Sequence, residues 1–354
     1  MSIIERPDIQ SAVPTLPASA YRDPALFDRE RREIFAREWL LYGRSDQLPN
    51  PGDFLAATII GYPVIVVRQP DGSLRGFHNV CRHRAAMLTQ ETTGGLPGGM
   101  IRCPYHSWTY ELDGCLNRAP GFGAARGEVE PAAWSLFPIA ADEWRGLVFI
   151  RIATTGPSLL DWLGPIVPLT AHYPLESQRY FTEKNREVAV DWKVYGENYL
   201  ECYHCPNMHP GLCEALDISR YTIDPHPEHG LFHLYGPKRD GSATDGLYFY
   251  RFPFLMLNFY QWGSSIATLE PLGAGRVRHI NWYLFSDISP ERAEENSRSA
   301  EWSAQIVTED LDMTMGVQRN LSAGVYERGI LSPRQERAVH AFQNMVRAAL
   351  PGIG

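Results

Sequence analysis

The chain has 354 residues, 44% of them hydrophobic and 21% charged, with a formal net charge of −8. That length suffices for two compact domains of ordinary globular composition, and the acidic balance argues against a nucleic-acid-binding surface. The longest apolar stretch, around Ala57–Val67, is interrupted by Gly61 and Pro63 and is too short to span a bilayer, so no membrane segment is expected.

The opening MSIIERPDIQ has no basic region followed by an apolar run. No secretory signal is expected, and the sequence reads as cytoplasmic. Residues 1–20 carry three prolines and little periodicity, which predicts an arm. Asp23-Pro24 reads as a helix start, with Asp23 as cap and Pro24 in the first turn. The apolar spacing of Leu26, Phe27, Ile34, Phe35 and Trp39 carries that helix forward, and Gly43 is expected to end it.

From about Asp46 the pattern changes to short strands. Phe54–Ile60 and Val64–Arg68 are predicted strands, and Asp71-Gly72 is a hairpin signal. Similar strands follow up to Leu147–Ile152, with Thr92–Gly99 (TTGGLPGG) expected as a loop. Beyond Ile152 the chain is mixed. Leu231–His233, Leu247–Phe252, Phe254–Tyr260, Ser265–Leu269 and Val277–Phe285 suggest a sheet, and Ala293–Val317 and Arg334–Leu350 suggest helices. The expected class is α+β. An N-terminal arm and helix (1–44) precedes a small all-β domain (45–152) and a larger catalytic domain (153–354), in which helices flank an antiparallel sheet.

Two stretches carry chemistry. In the β region, Cys81-Arg82-His83 and Cys103-Pro104-Tyr105-His106 form a C-x-H … C-x-x-H pair with 19 residues between His83 and Cys103. Two thiolates and two imidazoles suit zinc or a [2Fe–2S] cluster. Structural zinc sites usually follow the order C-x₂₋₄-C then H-x₃₋₅-H. One Cys and one His from each loop suits a Rieske cluster, in which two His replace two Cys on one iron. Cys115, Cys202, Cys205 and Cys213 read as buried small apolar residues.

The second stretch is DWKVYGENYLECYHCPNMHP, residues 191–210. Glu201 and His204 are three apart and would share one helix face. His204 and His209 are five apart, roughly 140° around an ideal helix. Pro206 between them breaks the backbone pattern, so a broken helix can turn both imidazoles toward one ion. A pair of His and a distant carboxylate form the facial site of non-haem Fe(II), although His near a helix end is more often structural.

With both motifs in this order, the chain resembles the large subunit of Rieske non-haem iron oxygenases. The motifs are CRH…CPYHSW, ENYLECYHCPNMHP and EDLDMTMGVQRNL. The resemblance implies that Cys81, His83, Cys103 and His106 hold the cluster and that His204 and His209 hold a mononuclear iron. The family's third ligand lies eight or so residues before a Gln. Here that Gln is Gln318, which favours Asp310 over Glu309 and Asp312. Two positions depart from the usual pattern: Ser107 where Gly follows the second cluster His, and Glu201 where Asp is usual. The ECYHCP variant resembles the branch acting on quaternary ammonium compounds. Members of that branch hydroxylate a carbon beside nitrogen, with N-demethylation or C–N cleavage. The alternative is an aromatic ring-hydroxylating oxygenase.

The resemblance also implies O2 as co-substrate and a homotrimer in which Glu201 bridges to His106 of a neighbouring copy. No Gly-rich dinucleotide fingerprint is present. Electrons from NAD(P)H are therefore expected through a separate flavin and iron–sulfur reductase. The aromatic-rich stretch Tyr248, Phe249, Tyr250, Phe252, Phe254, Phe259, Tyr260 and Trp262 could supply cation–π contacts to an ammonium or line an arene site. Strand aromatics more often fill a core.

Overall fold

A computed structural model describes residues 13–122, 130–242 and 245–353. The first twelve residues of the expected arm lie outside that range. The chain forms two compact units. One is Phe35–Gly164; the other joins the residues up to Ile34 with those from Pro165 onward. The boundaries read from the sequence, 44/45 and 152/153, both fall inside the first of these units.

In the Phe35–Gly164 unit, seven antiparallel strands lie in the order Leu40–Arg44, Leu147–Arg151, Pro138–Trp144, Leu74–His78, Tyr62–Arg68, Asp53–Ile59 and Thr93–Gly95. Asp71-Gly72 makes the expected hairpin turn. Gly72 adopts φ +84°, and Asp71 Oδ1 accepts from Ser73 N at 2.9 Å. Alternate side chains of the strands, among them Ile65, Val67 and Phe77, meet Ile101, Trp108 and Tyr110 in one core. A second, three-stranded sheet (Met100–Arg102, Thr109–Glu111, Leu116–Arg118) carries the CPYH loop between its first two strands.

Two local expectations change. Asp23 caps the first helix, its Oδ1 accepting from Ala25 N. That helix runs only over Pro24–Glu30, continues as one π turn through Phe35 and stops there. Leu40–Arg44, read as its last turn, is an edge strand paired with Leu147–Arg151. The apolar pattern of Leu40 and Leu41 fits a pleated face as well as a helical one, and pairing with a distant strand decides it. Within TTGGLPGG, Thr93–Gly95 pairs with Asp53–Leu55 rather than forming open loop.

The second unit is built on another seven-stranded antiparallel sheet. Its order is Arg179–Val188, Arg276–Phe285, Gly263–Gly273, Leu255–Tyr260, Gly246–Arg251, Leu231–Gly236 and Thr222–His226. The first and last of these strands were not legible as such. Every residue of Leu255–Tyr260 is buried, as expected of a central strand covered on both faces. Helices Trp192–Tyr199, Ala293–Ala323 and Arg337–Ala349 belong to this unit. Trp192, Phe252, Phe254 and Phe342 join them in an aromatic cluster with ring centroids 5.6–6.2 Å apart.

Beneath that cluster lies a buried ionic group. Lys193 Nζ is 2.5 Å from Glu30 Oε1 and 2.7 Å from Asp191 Oδ1, all three side chains being at most 2% exposed. The N-terminal helix is therefore fastened to the helix that leads into the histidine motif. The architecture is α+β, a small all-β domain with a mixed domain of antiparallel sheet and helices.

Candidate active site

The Trp192–Tyr199 helix is fixed at its start. Asp191 caps it by accepting from Lys193 N at 3.0 Å, and Gln318 Oε1 accepts from Asp191 N at 3.0 Å. Gln318, the sequence landmark for the distant carboxylate, is thus a clasp between the long Ala293–Ala323 helix and this cap. The helix ends at Tyr199. Glu201 lies in the following turn, where its Oε2 accepts from the backbone N–H groups of Tyr203 and His204. Its other oxygen is 2.5 Å from His204 Nδ1. The contact between Glu201 and His204 comes from this turn, not from a shared helix face.

His204 precedes the Cys205–Met208 turn, and His209 sits between that turn and Pro210–Ala215. Pro206 and Pro210 open the two short helices, and the break swings both rings inward. His204 Nε2 and His209 Nε2 are 3.2 Å apart. Asp310 Oδ1, from the long helix, lies 3.0 Å from His209 Nε2 and 3.4 Å from His204 Nε2. These three donor atoms lie within 4.8 Å of one another. Glu309 faces the opposite side of the same ring, with Oε2 2.8 Å from His209 Nδ1. Asp312 is exposed.

Each imidazole therefore presents Nε2 to a common point while a carboxylate occupies its Nδ1, an arrangement that fixes tautomer and ring orientation for metal binding. In the chain without metal, burial disfavours the charged imidazole of His204. The hydrogen-bonded carboxylates of Asp310 and Glu201 outweigh it and hold the pKa at about 9. His209 is raised for the same reason, by Asp310 and Glu309 against burial. Burial would push Asp310 up, but the two histidines bring it below its usual value.

A cavity of about 90 Å³ adjoins these groups. Its aromatic lining is Tyr195, Tyr199, Tyr221, Tyr248 and Tyr260, with Leu212, Ile306 and Val307 adding apolar wall. Among the described residues, its charged lining is Glu201, Asp310 and the two histidines, with no lysine or arginine. Of the eight aromatics of the Tyr248–Trp262 stretch, only Tyr248 and Tyr260 reach it. Trp262 stacks on Tyr260 at 4.5 Å, and Phe249, Phe254 and Phe259 fill the core. Tyr195, Tyr199 and Tyr221 escaped the sequence reading. The i, i+4 spacing of Tyr195 and Tyr199 placed them on one helix face, but nothing marked that face as the cavity.

Cys202 and Cys205 correct an expectation. They were read as separate apolar residues, yet they form a disulfide that brackets His204 in sequence. Their C-x-x-C spacing is short enough for a turn to bring the sulfurs together. Cys115 is exposed and Cys213 half-buried, so neither is the buried residue expected.

In the β unit, Cys81 and Cys103 are buried and unbridged. The rings of His83 and His106 lie 4.7 Å apart by centroid, and both Nδ1 atoms are buried without a hydrogen-bond partner. Buried imidazole nitrogens ordinarily carry a partner, so two orphaned nitrogens beside two buried thiols suit a cluster ligand set. The loops are built alike. The fourth residue after each Cys, Ala85 and Ser107, adopts positive φ (+57° and +59°) and donates its N–H to that Cys carbonyl at 3.1 Å. A left-handed turn at Ser107 explains why glycine is the usual residue there. Tyr110 and Trp108, not singled out from sequence, complete the setting. Tyr110 Oη lies 3.3 Å from Cys81 Sγ, and Trp108 stacks on His83 at 5.2 Å.

Comparison with known proteins follows this geometry. Residues 38–130 match the Rieske [2Fe-2S] domain, and residues 175–246 and 237–352 match the ring hydroxylating alpha subunit catalytic domain. The carnitine monooxygenase oxygenase subunit of Escherichia coli K12 is 30% identical over 88% of this chain and 85% of its own length. The glycine betaine monooxygenase oxygenase subunit of Chromohalobacter salexigens is 38% identical over 60% of this chain; the match spans only 46% of that relative. The quaternary ammonium Rieske monooxygenase CntA, solved with L-carnitine, superposes with a TM-score of 0.82 at 25% identity, over 98% of this chain and 99% of that one. A Rhodococcus naphthalene 1,2-dioxygenase shares the fold, with a TM-score of 0.75 at 19% identity over 96% and 94% of the two chains. No helix among the described residues is long and apolar enough to cross a membrane. The two matched domains imply a Rieske cluster and a mononuclear iron. This chain belongs to the Rieske non-haem iron oxygenases, as an alpha subunit joining a Rieske domain to a ring-hydroxylating-type catalytic domain.

Proposed function

We propose that this chain is the terminal oxygenase of a monooxygenase system that hydroxylates a small quaternary ammonium compound at a carbon beside nitrogen. Cys81, Cys103, His83 and His106 would hold the [2Fe–2S] cluster, and His204, His209 and Asp310 the iron. When bound, these groups supply single electrons and open coordination positions for dioxygen. The electrons come from NAD(P)H through a separate flavin and iron–sulfur reductase. One oxygen atom enters a C–H bond and the other leaves as water, with two electrons and two protons consumed. Where the carbon is an N-methyl, the hydroxymethyl product releases formaldehyde and the demethylated amine.

The observation that carries the substrate class is the cavity lining. Five tyrosines surround the space beside His204, His209 and Asp310. Tyr248 contacts both Tyr221 and Tyr260, at 6.3 and 5.6 Å between centroids. Burial raises the Tyr248 and Tyr260 hydroxyl pKa values, so both rings stay neutral and keep their negative faces. Such faces attract a permanent organic cation. Glu201 adds a carboxylate, and among the described residues the lining has no lysine or arginine to repel a cation. The names of the carnitine and glycine betaine relatives point the same way.

The roles of the remaining side chains follow from their contacts. Glu201 and Glu309 orient the imidazoles, and Asn198 Nδ2 donates to Asp310 Oδ1 at 2.7 Å, steadying that carboxylate. Tyr199 is held by Asn258, its Oη donating to Oδ1 at 2.5 Å. The test is oxygen uptake by the reconstituted enzyme with a flavin reductase, across betaines, choline and simple arenes. Formaldehyde release with an ammonium substrate supports the reading. Uptake confined to arenes, with diol products, overturns it.

A further inference from the structure

A second cavity, about 180 Å³, shares the wall residues Cys202 and Tyr221 with the tyrosine cavity. Its other walls include Leu200, Ile218, Arg334 and Arg337. Both arginines are exposed, and among the described residues neither makes an ion pair or a side-chain hydrogen bond. Their position is not what folding alone favours. Arg337 opens the Arg337–Ala349 helix, with Arg334 one turn before it. A helix N-terminus carries positive partial charge, so cations there are disfavoured.

The tyrosine cavity itself meets only half of a zwitterion's needs. It offers neutral rings and the Glu201 carboxylate to an ammonium group, but apart from the iron that His204, His209 and Asp310 would hold, a substrate carboxylate placed there would meet no lysine or arginine. The adjoining cavity has the opposite character, two unpaired guanidinium groups able to bind a carboxylate in fork geometry. Tyr221 and Cys202 are the common wall. We propose that Arg334 and Arg337 form a carboxylate subsite, so that the substrate is a betaine spanning the two cavities. Its ammonium lies among the tyrosines and its carboxylate at the arginines. This rests on the quaternary ammonium reading given above.

The experiment compares matched pairs differing only in that charge and long enough to span the shared wall: γ-butyrobetaine and δ-valerobetaine against their primary amides. The metal-loaded enzyme is assayed with its reductase, or by single turnover after chemical reduction. The wild type is expected to favour each acid over its amide in kcat/KM by about tenfold or more, the scale of a charge-assisted hydrogen bond. In Arg334→Gln, Arg337→Gln and the double variant, that acid-to-amide ratio falls toward unity. Cluster absorbance and iron content confirm that each variant is folded and loaded.

A wild type that turns over acids and amides alike overturns the subsite while leaving the ammonium reading standing. So does a double variant whose ratio is unchanged. Equal losses for both members of a pair, with slowed cluster reoxidation, would make the arginines a docking surface and overturn the subsite too. Turnover of neither acids nor amides overturns the subsite, and choline inert as well removes the ammonium reading with it.

Discussion

Glu309 and Asp310, consecutive on one helix, hold opposite nitrogens of the same imidazole: Glu309 Oε2 is 2.8 Å from His209 Nδ1 and Asp310 Oδ1 is 3.0 Å from its Nε2. Asp310→Ala is therefore expected to lose mononuclear iron and activity while keeping the cluster spectrum. Glu309→Gln should keep iron at saturation but bind it about 10–100-fold more weakly. Asp312→Ala, on the exposed side, should change neither. Iron per chain across a chelator series measures all three. Iron loss in Asp312→Ala with retention in Asp310→Ala would reassign the ligand.

The thiol and imidazole pairs of the β unit predict a stoichiometry. Loaded protein should contain about three iron and two acid-labile sulfide per chain. Cys81→Ser should remove the sulfide and the visible absorption. A colourless zinc protein without sulfide would reject the cluster.

Glu201 grips His204, and we propose that it also bridges to His106 of a neighbouring copy in a homotrimer, as the resemblance implies. Glu201→Gln should leave both metal sites filled and the trimer intact. Cluster reoxidation in single-turnover mixing with oxygen and substrate should slow by about 10–100-fold. A near-normal rate, or an active monomer by sedimentation, would show that no such bridge operates.

Glu197 gives a pH prediction. It accepts from Tyr21 Oη at 2.7 Å and from Gln343 Nε2 at 3.0 Å, and burial pushes its pKa up to about 7 despite those bonds and nearby Lys193. A carboxyl that binds its proton more tightly folded than unfolded stabilises fully below its ordinary pKa. That stability is lost as pH rises through the folded value. Between pH 4.5 and 7 this group should cost up to about 3 kcal/mol. Glu197→Gln should flatten the fall in melting temperature over that window. An unchanged slope would assign the dependence to Glu30, whose pKa burial also raises to about 7.

The sequence carried the short-range chemistry better than the long-range chemistry. The C-x-H, C-x-x-H and His-x₄-His spacings are local, and the structure brings each set together. Asp310 came from a landmark glutamine, whose own work as a clasp on Asp191 no spacing revealed. Glu309 looked like a rival of Asp310, because the face a residue presents across a hundred intervening positions depends on helix register. Tyr195 and Tyr199 share one helix, but Tyr221 comes from a separate segment that only the tertiary fold brings beside them. Leu40–Arg44 failed for a related reason: its partner strand begins at Leu147.

The salt-bridged Glu30–Lys193 pair has a bearing on how the chain is made. The N-terminal helix belongs with residues that follow Gly164, so synthesis completes the whole Phe35–Gly164 unit before Lys193 exists. Domains generally fold as units during translation. The Pro24–Glu30 helix must wait for its partner until the histidine motif itself is emerging from the ribosome. A shortened gene that starts at the β unit would strand Lys193 in the interior with Asp191 alone. The catalytic half cannot be prepared by trimming from the front.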